Sequence, residues 1–164
     1  MAVFALTSPT IKIGTAWTGT APGDPGTQTV SGTITTPTTI SAMVSSVEIS
    51  ISAAVLEFTN FGSGGWKQNT TGLKEGTLQL VLNQDFAASQ VDALFGLGGT
   101  IPPGGSGTYY VDITPTSAAR GTTNPSTVFQ VYNTSYMPLT GQVGALAVVT
   151  IPLTVTGQIA RLTA

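Results

Sequence analysis

The sequence contains no histidine and no cysteine. Histidine is the commonest general base and a frequent metal ligand, and without cysteine there is neither a disulfide framework nor thiolate chemistry. A Ser-His-Asp or Cys-His catalytic arrangement is therefore excluded. The phosphate-binding pattern G-x-x-x-x-G-K-[ST] is also missing. We therefore expect no enzyme activity, no cofactor, no metal and no small-molecule partner.

Charged residues are scarce, at 7% of 164 residues, whereas soluble domains usually have about a quarter. The net charge is -2, and the few cations are spread along the chain: Lys12, Lys67, Lys74, Arg120 and Arg161. Binding that neutralises many phosphates is therefore not expected. So few charges give a free monomer weak colloidal protection, which favours a surface covered by other subunits. The alternative is a soluble domain whose threonine and serine hydroxyls are hydrated.

Long hydrophobic runs and a basic leader are missing as well. The most apolar stretch, residues 144–153, is too short and too rich in hydroxyl groups to cross a membrane. Residues 1–7 lack the basic region of a signal peptide. Alternating apolar residues predict a strand over residues 145–156 with one buried face. That face consists of Ala145, Ala147, Val149, Ile151, Leu153 and Val155. Pro152 has no amide donor, so it is expected at a sheet edge or beside a bulge.

The clearest pattern lies within residues 44–95. Alternation with a period of two predicts strands over residues 47–58 and 76–82. The first strand has an apolar and a polar face, formed by Val47, Ile49 and Ile51 and by Glu48, Ser50 and Ser52. The loop between the strands, residues 59–71, contains a glycine-rich run at residues 61–66. Its glycines allow an irregular path, because they adopt positive φ at little cost.

After the second strand the period changes to that of a helix. One helical stripe is formed by Ala87, Val91, Leu94 and Phe95. Asp85 is the predicted N-cap and Gly96 the predicted stop. Asp85 and Asp92 are more simply a cap and a solvated acid than a glycosidase carboxylate pair. Together with Glu57 they also lack the spacing of a calcium-binding loop.

Further strands are predicted over residues 108–114 and 128–136, with a short one within residues 11–17. About seven strands and one short α-helix predict an all-β fold, a β-sandwich or partly closed barrel. Residues 14–39 are almost wholly Thr, Gly, Pro, Ser and Ala, with Asp24 as the one charge. This segment is either a flexible loop or an arm packed on a neighbouring molecule, with residues 27–34 as a possible β-arm.

We expect two parts in the chain: an N-terminal strand plus arm or loop over residues 1–44, and a β-sandwich core over residues 45–164. Phe61 and Trp66 could bind a sugar face, but large aromatic residues more often fill a subunit or core contact. Lys74 and Glu75 are either a solvated pair or partners in an inter-subunit salt bridge.

Several runs of sequence, in this order, resemble the major tail tube proteins of long, non-contractile-tailed (siphovirus-type) bacteriophages. The resemblance covers roughly residues 45–162. The runs are residues 61–66, 72–80, 83–93, 114–120, 123–125, 138–147 and 155–161.

The resemblance implies a structural virion protein without enzyme activity, made in the host cytoplasm and located in the tail. Subunits of that family form six-fold rings around a shared, closed β-barrel, and the rings stack into the tube that conducts the genome. The implied partners are other copies of the chain, the tape-measure protein and the tail-end proteins. DNA would pass through the lumen without specific binding, and no membrane partner is implied.

The resemblance implies that Glu48, Ser50 and Ser52 face the lumen. Acidic residues are typical of the inner wall in that family, because a basic wall would hold the DNA. The ring-stacking loop is expected to use Phe61, Gly62, Gly64, Gly65, Trp66 and Lys67. Lys74 and Glu75 are the candidates for an inter-subunit salt bridge. The chain departs from the family in residues 14–39 and in a shortened helical region. We expect residues 14–39 to lie on the tube exterior or to reach the next ring.

The alternative function is a capsid-decoration or tail-fibre β-sandwich that binds a capsid or a host glycan. It would be a monomer or trimer rather than a six-fold ring. A pilus-type subunit fits less well, because both the signal peptide and the cysteines are missing.

Overall fold

The computed structural model describes residues 8–23 and 29–163. In this part of the chain nine strands and one short helix, α1 (Val91–Phe95), are found. The strands are β1 (Thr10–Gly14), β2 (Trp17–Thr18), β3 (Thr33–Ile34), β4 (Thr38–Thr39), β5 (Val44–Glu57), β6 (Asn69–Asn83), β7 (Tyr109–Thr114), β8 (Ser126–Asn133) and β9 (Val148–Leu162).

Seven strands form one antiparallel sheet in the order β4-β1-β7-β8-β9-β6-β5, and β2 pairs with β3 in a small second sheet. The prediction of an all-β fold with about seven main strands and a short helix is confirmed. The sheet does not close into a barrel, because no pairing joins β4 to β5 among the described residues.

The large sheet curls so that its two edges approach each other. Laid flat, seven strands would separate β4 from β5 by about 29 Å. Residues 40–43 alone connect these two strands, and such a connection spans at most about 17 Å. Backbone hydrogen bonds follow the same path, from Ile40 to Ile11 on β1 and from Asn83 on β6 to Met43. The sheet therefore curls around the core, with its two edge strands, β4 and β5, brought towards each other.

The predicted alternation is confirmed in the body of the sheet. Leu78, Leu80 and Leu82 of β6 are fully buried, and their intervening neighbours Thr77 and Gln79 are exposed. Other residues of the same core are Ile11, Ile13, Val111, Phe129, Val131, Val149, Ile151 and Leu153, together with Val91, Leu94 and Phe95 of α1. Three of the four residues of the predicted helical stripe, Val91, Leu94 and Phe95, thus pack against the sheet.

The start of the helix was predicted wrongly. Gln90, not Asp85, is the N-cap, and no side chain caps the helix. The Asp85 carboxylate instead accepts a hydrogen bond from the Ala87 amide at 2.8 Å, which forms a local turn. Ser89 then has φ 66°, outside the helical region. Ala87 consequently precedes the helix and is exposed.

The start of β9 and the position of Pro152 also differ from the prediction. Ala145 and Ala147 lie in the loop before β9, because a turn closes with the Ala145 amide bonded to the Gln142 carbonyl. Pro152 lies in β9, an interior strand paired with both β6 and β8. However, β8 ends at Asn133, opposite Leu153, so Pro152 lies beyond the end of β8 and has no ladder partner there.

The described part of residues 14–39, which is residues 14–23 and 29–39, packs on the large sheet of the same chain. Whether the segment also reaches a neighbouring molecule stays a prediction. Trp17 contacts Tyr110 of β7, with ring centroids 5.5 Å apart. Val30 and Ile34 are buried, and Val30 shares a small cluster with Val128 of β8. The apolar residues in this Thr-rich segment thus find partners on the same chain. Asp24, and residues 27 and 28 of the possible β-arm, lie outside the described residues.

Candidate assembly surfaces

The acidic side chains of the described residues do not gather into a metal-binding group. Among the described residues, no three His, Cys, Asp or Glu side chains could hold a metal ion together. Glu57 lies at the far end of the β5–β6 hairpin from Asp85 and Asp92. The Asp92 carboxylate accepts a hydrogen bond from the Tyr136 hydroxyl at 2.8 Å. No helix in this part of the chain is long and apolar enough to cross a membrane.

A β-hairpin projects from the body of the sheet. β9 pairs with β6 only from Gly76 to Asn83, whereas the pairing of β5 with β6 continues to Glu57 and Asn69. We call residues 51–75 the arm. It extends about 20 Å beyond the body, and nearly all its side chains are exposed on both faces. Its exposed large apolar residues are Ile51, Val55, Leu56, Phe58, Phe61, Trp66 and Leu73.

The end of the arm, residues 58–68, is an ordered structure that we call the tip. A 3₁₀ turn at Phe61–Ser63 begins it. Gly64 and Gly65 follow with φ 61° and 83°, a conformation that side chains disfavour. The Thr59 hydroxyl donates to the Glu57 carboxylate at 3.0 Å and accepts from the Gln68 amide at 3.1 Å. These bonds hold the two ends of the turn together.

One ion pair closes the tip. The Lys67 ammonium lies 2.9 Å from the Glu57 carboxylate, and both side chains are largely exposed. The hydrogen bond from Lys67, followed by that from Thr59, lowers the pKa of Glu57 below its usual 4.5, against a small opposing effect of burial. Exposed pairs of this kind stabilise a fold little, so Lys67 is free to exchange partners at low cost.

The structure brings all six predicted stacking residues together on the tip. Phe61 is fully exposed and Trp66 is 80% exposed. The prediction that these aromatic side chains could fill a core contact within the chain is therefore wrong. The other four members of the set are Gly62, Gly64, Gly65 and Lys67. Their role in stacking stays a prediction.

The three residues predicted to face the lumen share one exposed face of β5. Glu48 and Ser50 are exposed, and the Ser52 hydroxyl donates to the Glu75 carboxylate at 3.1 Å across the hairpin. On the opposite face Val47 and Ile49 are half-buried against the core. β5 is also the edge strand of the sheet, so its outer backbone groups have no strand partner among the described residues.

Lys74 and Glu75 lie side by side at the base of the arm. Ion pairs in the described chain join Lys67 to Glu57 and Arg120 to Asp112. Neither Lys74 nor Glu75 therefore has an oppositely charged partner among the residues that the structure describes. Their part in an inter-subunit salt bridge stays a prediction, with both groups available for it.

A second exposed apolar surface was not predicted. It lies at the end of β6 opposite the tip, in the helical region and the loop between β8 and β9. We call it the apolar cap; it consists of Phe86, Leu97, Met137, Leu139, Val143 and Leu146, all more than half exposed. A sequence signal existed, because residues 121–160 contain no charged residue. Such a stretch supplies more apolar side chains than one face of a sheet can bury.

The apolar cap contains a recess with a volume of about 270 Å³. It is lined by Asp92, Leu97, Pro103, Tyr136 and Pro138. The Gln84 side-chain amide, next to the end of β6, donates to the Tyr136 hydroxyl at 2.9 Å and to the Pro138 carbonyl at 2.8 Å. Burial raises the pKa of Tyr136 above 10.0, so its hydroxyl stays protonated and donates to Asp92. These bonds tie the walls of the recess together.

Two solved structures with a similar fold come from gene transfer agent (GTA) particles. A chain in the virion of a native gene transfer agent (GTA) particle matches with a TM-score of 0.55 and 15% identity, over 77% of this chain and 89% of that chain. A chain in the tail of an empty GTA particle, computed with helical refinement and C6 symmetry, also gives a TM-score of 0.55. It is 17% identical over 78% of this chain and 87% of that chain.

The likeness to these two chains is one of fold, because so low an identity carries no further information. No family profile matches the sequence, and no curated protein matches it. The matches cover most of both chains, so the likeness is not confined to a single hairpin.

Proposed function

We propose that this protein is a structural subunit of a phage-like tail tube, assembled as six-membered rings that stack around a lumen for the genome. The observation that carries the proposal is the shared fold with a chain of a C6-symmetric tail. The free edge of β5 and the uncovered arm support it, because both need a partner that the described residues do not supply. The proposed function is structural, with no reaction.

The edge strand supplies the first reason for ring formation. β5 is 14 residues long and contains no proline. A long exposed edge is a hazard for pairing with other chains, and natural proteins usually shorten, charge or cover it. Here Glu48 and Glu57 are the only charges on β5. Pairing of β5 with a neighbouring subunit, repeated six times, would cover the edge and close the sheets into a ring.

The polar face of β5 then becomes the candidate lumen wall. Glu48, Ser50 and Ser52 occupy it, and β5 has no lysine or arginine. Phosphate groups bind strongly to arrays of cations through release of counterions. A wall of serine and glutamate avoids such binding, so the genome would slide along it rather than adhere.

Electron microscopy of the purified chain at rising concentration tests the proposal. Rings or hollow tubes with six-fold end views are the expected result. Monodisperse monomers or trimers at high concentration would contradict it and favour the capsid-decoration or tail-fibre alternative. In that case binding to capsids and glycans becomes the next measurement.

A backbone variant sharpens this test at the β5 edge. The Pro152 carbonyl accepts from the Thr134 hydroxyl at 3.5 Å, so the backbone polar groups of Pro152 point away from β6. Its cross-strand partner Gln79 therefore directs its own groups towards Glu48 on β5. By alternation, the Ile51 amide points outwards, to the free edge.

Ile51→Pro removes this outward amide without breaking a bond to β6, as edge strands tolerate. We expect the variant to fold but to form far fewer rings. Ile51→Ala is the matched control, because it shortens the same side chain and keeps the amide. Equal ring yields from the two variants would contradict pairing through the β5 edge.

A further inference from the structure

The tip and the recess of the apolar cap lie at opposite ends of the same strand. β6 begins at Asn69, beside the tip, and ends at Asn83, whose neighbour Gln84 bonds to two walls of the recess. A strand of 15 residues is about 50 Å long. A chain therefore cannot place its own tip in its own recess, although a second copy can.

The chemistry of the two features is complementary. The tip offers two large exposed aromatic side chains, Phe61 and Trp66, and the Lys67 ammonium. The recess offers apolar walls at Leu97 and two prolines, with the Asp92 carboxylate beside them.

The charges near the tip and near the recess also favour contact between the two. The segments that build the apolar cap, residues 84–108 and 134–147, contain Asp85 and Asp92 and no lysine or arginine. The tip carries Lys67 as its one charged residue, although Glu57, Lys74 and Glu75 leave the arm as a whole without net charge. A cation at the tip and two acids at the cap favour a head-to-tail approach over contact between two caps.

We propose that the tip of one copy docks in the recess of a second copy, with Phe61 or Trp66 against Leu97 and Lys67 near Asp92. This contact joins two different surfaces, so it is heterologous and repeats without closing along the axis. The proposal rests on the proposed tail tube in one respect: the contact is taken to repeat along the stack of rings. It also names the recess as the surface that receives the tip, which the exposed aromatic residues of the tip alone do not identify.

Cysteine pairs test the contact directly, because the chain has no cysteine of its own. Two double variants, Phe61→Cys/Leu97→Cys and Trp66→Cys/Leu97→Cys, each leave one tip aromatic residue and Lys67 in place. A disulfide needs Cα atoms within about 7 Å, which the length of β6 excludes within one chain. The matched control is Leu73→Cys/Leu97→Cys, because Leu73 is also on the arm and 88% exposed.

After mild oxidation of the assembled variants, we expect a ladder of covalent dimers, trimers and longer chains on non-reducing gels for at least one tip pair. The control should give several-fold less. Covalent multimers no more abundant than in the control would overturn the contact.

Microscopy of the unmodified chain separates this outcome from the fate of the tail tube proposal. Tubes without a ladder above the control overturn the tip–recess contact and leave the tube function standing. A ladder without rings or tubes supports the contact and overturns the tube function. The absence of both overturns both.

Discussion

The body of the sheet and the arm are built from the same two strands, yet they differ in what covers them. In the body, the alternating apolar residues of β6 are fully buried against β9 and the rest of the core. In the arm, β5 keeps large apolar residues such as Ile51, Val55 and Leu56, but all three are more than half exposed. The change occurs where β9 stops covering β6, at Gly76.

This difference indicates that the two regions depend on different partners. The body has a self-contained core, and its stability is a property of one chain. A two-stranded hairpin without a covered face is marginal in water by itself, and exposed apolar patches of this kind are typical of interaction sites. In the proposed function, the arm is the region that other copies of the chain cover, and substitutions should separate the two regions cleanly.

Truncation of the tip should have the largest effect on assembly and almost none on the fold. Phe58 and Gln68 are hydrogen-bonded across the hairpin, so replacing residues 59–67 with Asn-Gly leaves a regular two-residue turn. We expect rings or monomers with an unchanged circular dichroism spectrum, and no tubes in electron micrographs. Tubes of normal length would contradict a role of the tip in stacking.

The largest effect on stability is expected from a phenylalanine in the body. Phe129 is fully buried in the core, and Phe129→Ala should lower the free energy of unfolding by about 3–5 kcal/mol. Phe58→Ala is the matched control, because Phe58 is on the arm and 53% exposed. It should change the free energy of unfolding by at most about 0.5 kcal/mol. Urea denaturation of the unassembled chain measures both, and similar losses would contradict the separation of body and arm.

The two ion pairs found among the described residues provide a second comparison of body and arm. In the body, Arg120 lies 2.7 Å from Asp112, and their side chains are only 19% and 7% exposed. Asp112→Asn removes the carboxylate charge that faces Arg120 in a nearly buried site, which should lower the free energy of unfolding by about 3 kcal/mol. In the arm, Glu57→Gln breaks an exposed pair and should give no resolvable change in urea denaturation.

The double variant Asp112→Asn/Arg120→Met checks this account of the buried pair. Removing both charges should recover part of the stability lost in Asp112→Asn, since no charge is then left uncompensated. A double variant less stable than Asp112→Asn would show that Arg120 acts mainly through another contact, such as its bond to the Gly32 carbonyl.

The alternation of apolar and polar residues identified the strands of the body from the sequence, because each of these strands buries one apolar face. Val149, Ile151 and Leu153 were predicted to share a buried face, and they do. The helix start could not be found in this way, since Asp85 is an equally good residue for the local turn that it forms with Ala87. The packing of residues 29–39 on their own sheet was also missed, because isolated apolar residues such as Val30 have no period.

The position of the tip was predicted from its glycines and aromatic residues, but the exposure of its side chains was not predicted. Alternation in β5 continues through Ile51 without a break, so the sequence does not show that its cover ends there. The recess was missed for a related reason. Its walls come from α1, from the loop after it and from the loop after β8, and side-chain hydrogen bonds of Gln84 and of Tyr136 with Asp92 join segments that are far apart in the sequence.

The smallest expected effect is a change of pKa confined to the tip. Lys67→Met removes the main cause of the lowered pKa of Glu57, so that pKa should rise towards 4.5. Because the pKa of the native state is the lower one, Glu57 contributes stability above about pH 4.5 that is lost as the pH falls through its folded value. NMR titration of the Glu57 carboxyl carbon in the unassembled chain measures the shift. Core residues of β6 and β9 should keep their chemical shifts, since no contact described for the tip reaches the body; altered core shifts would show that the arm and the body are coupled.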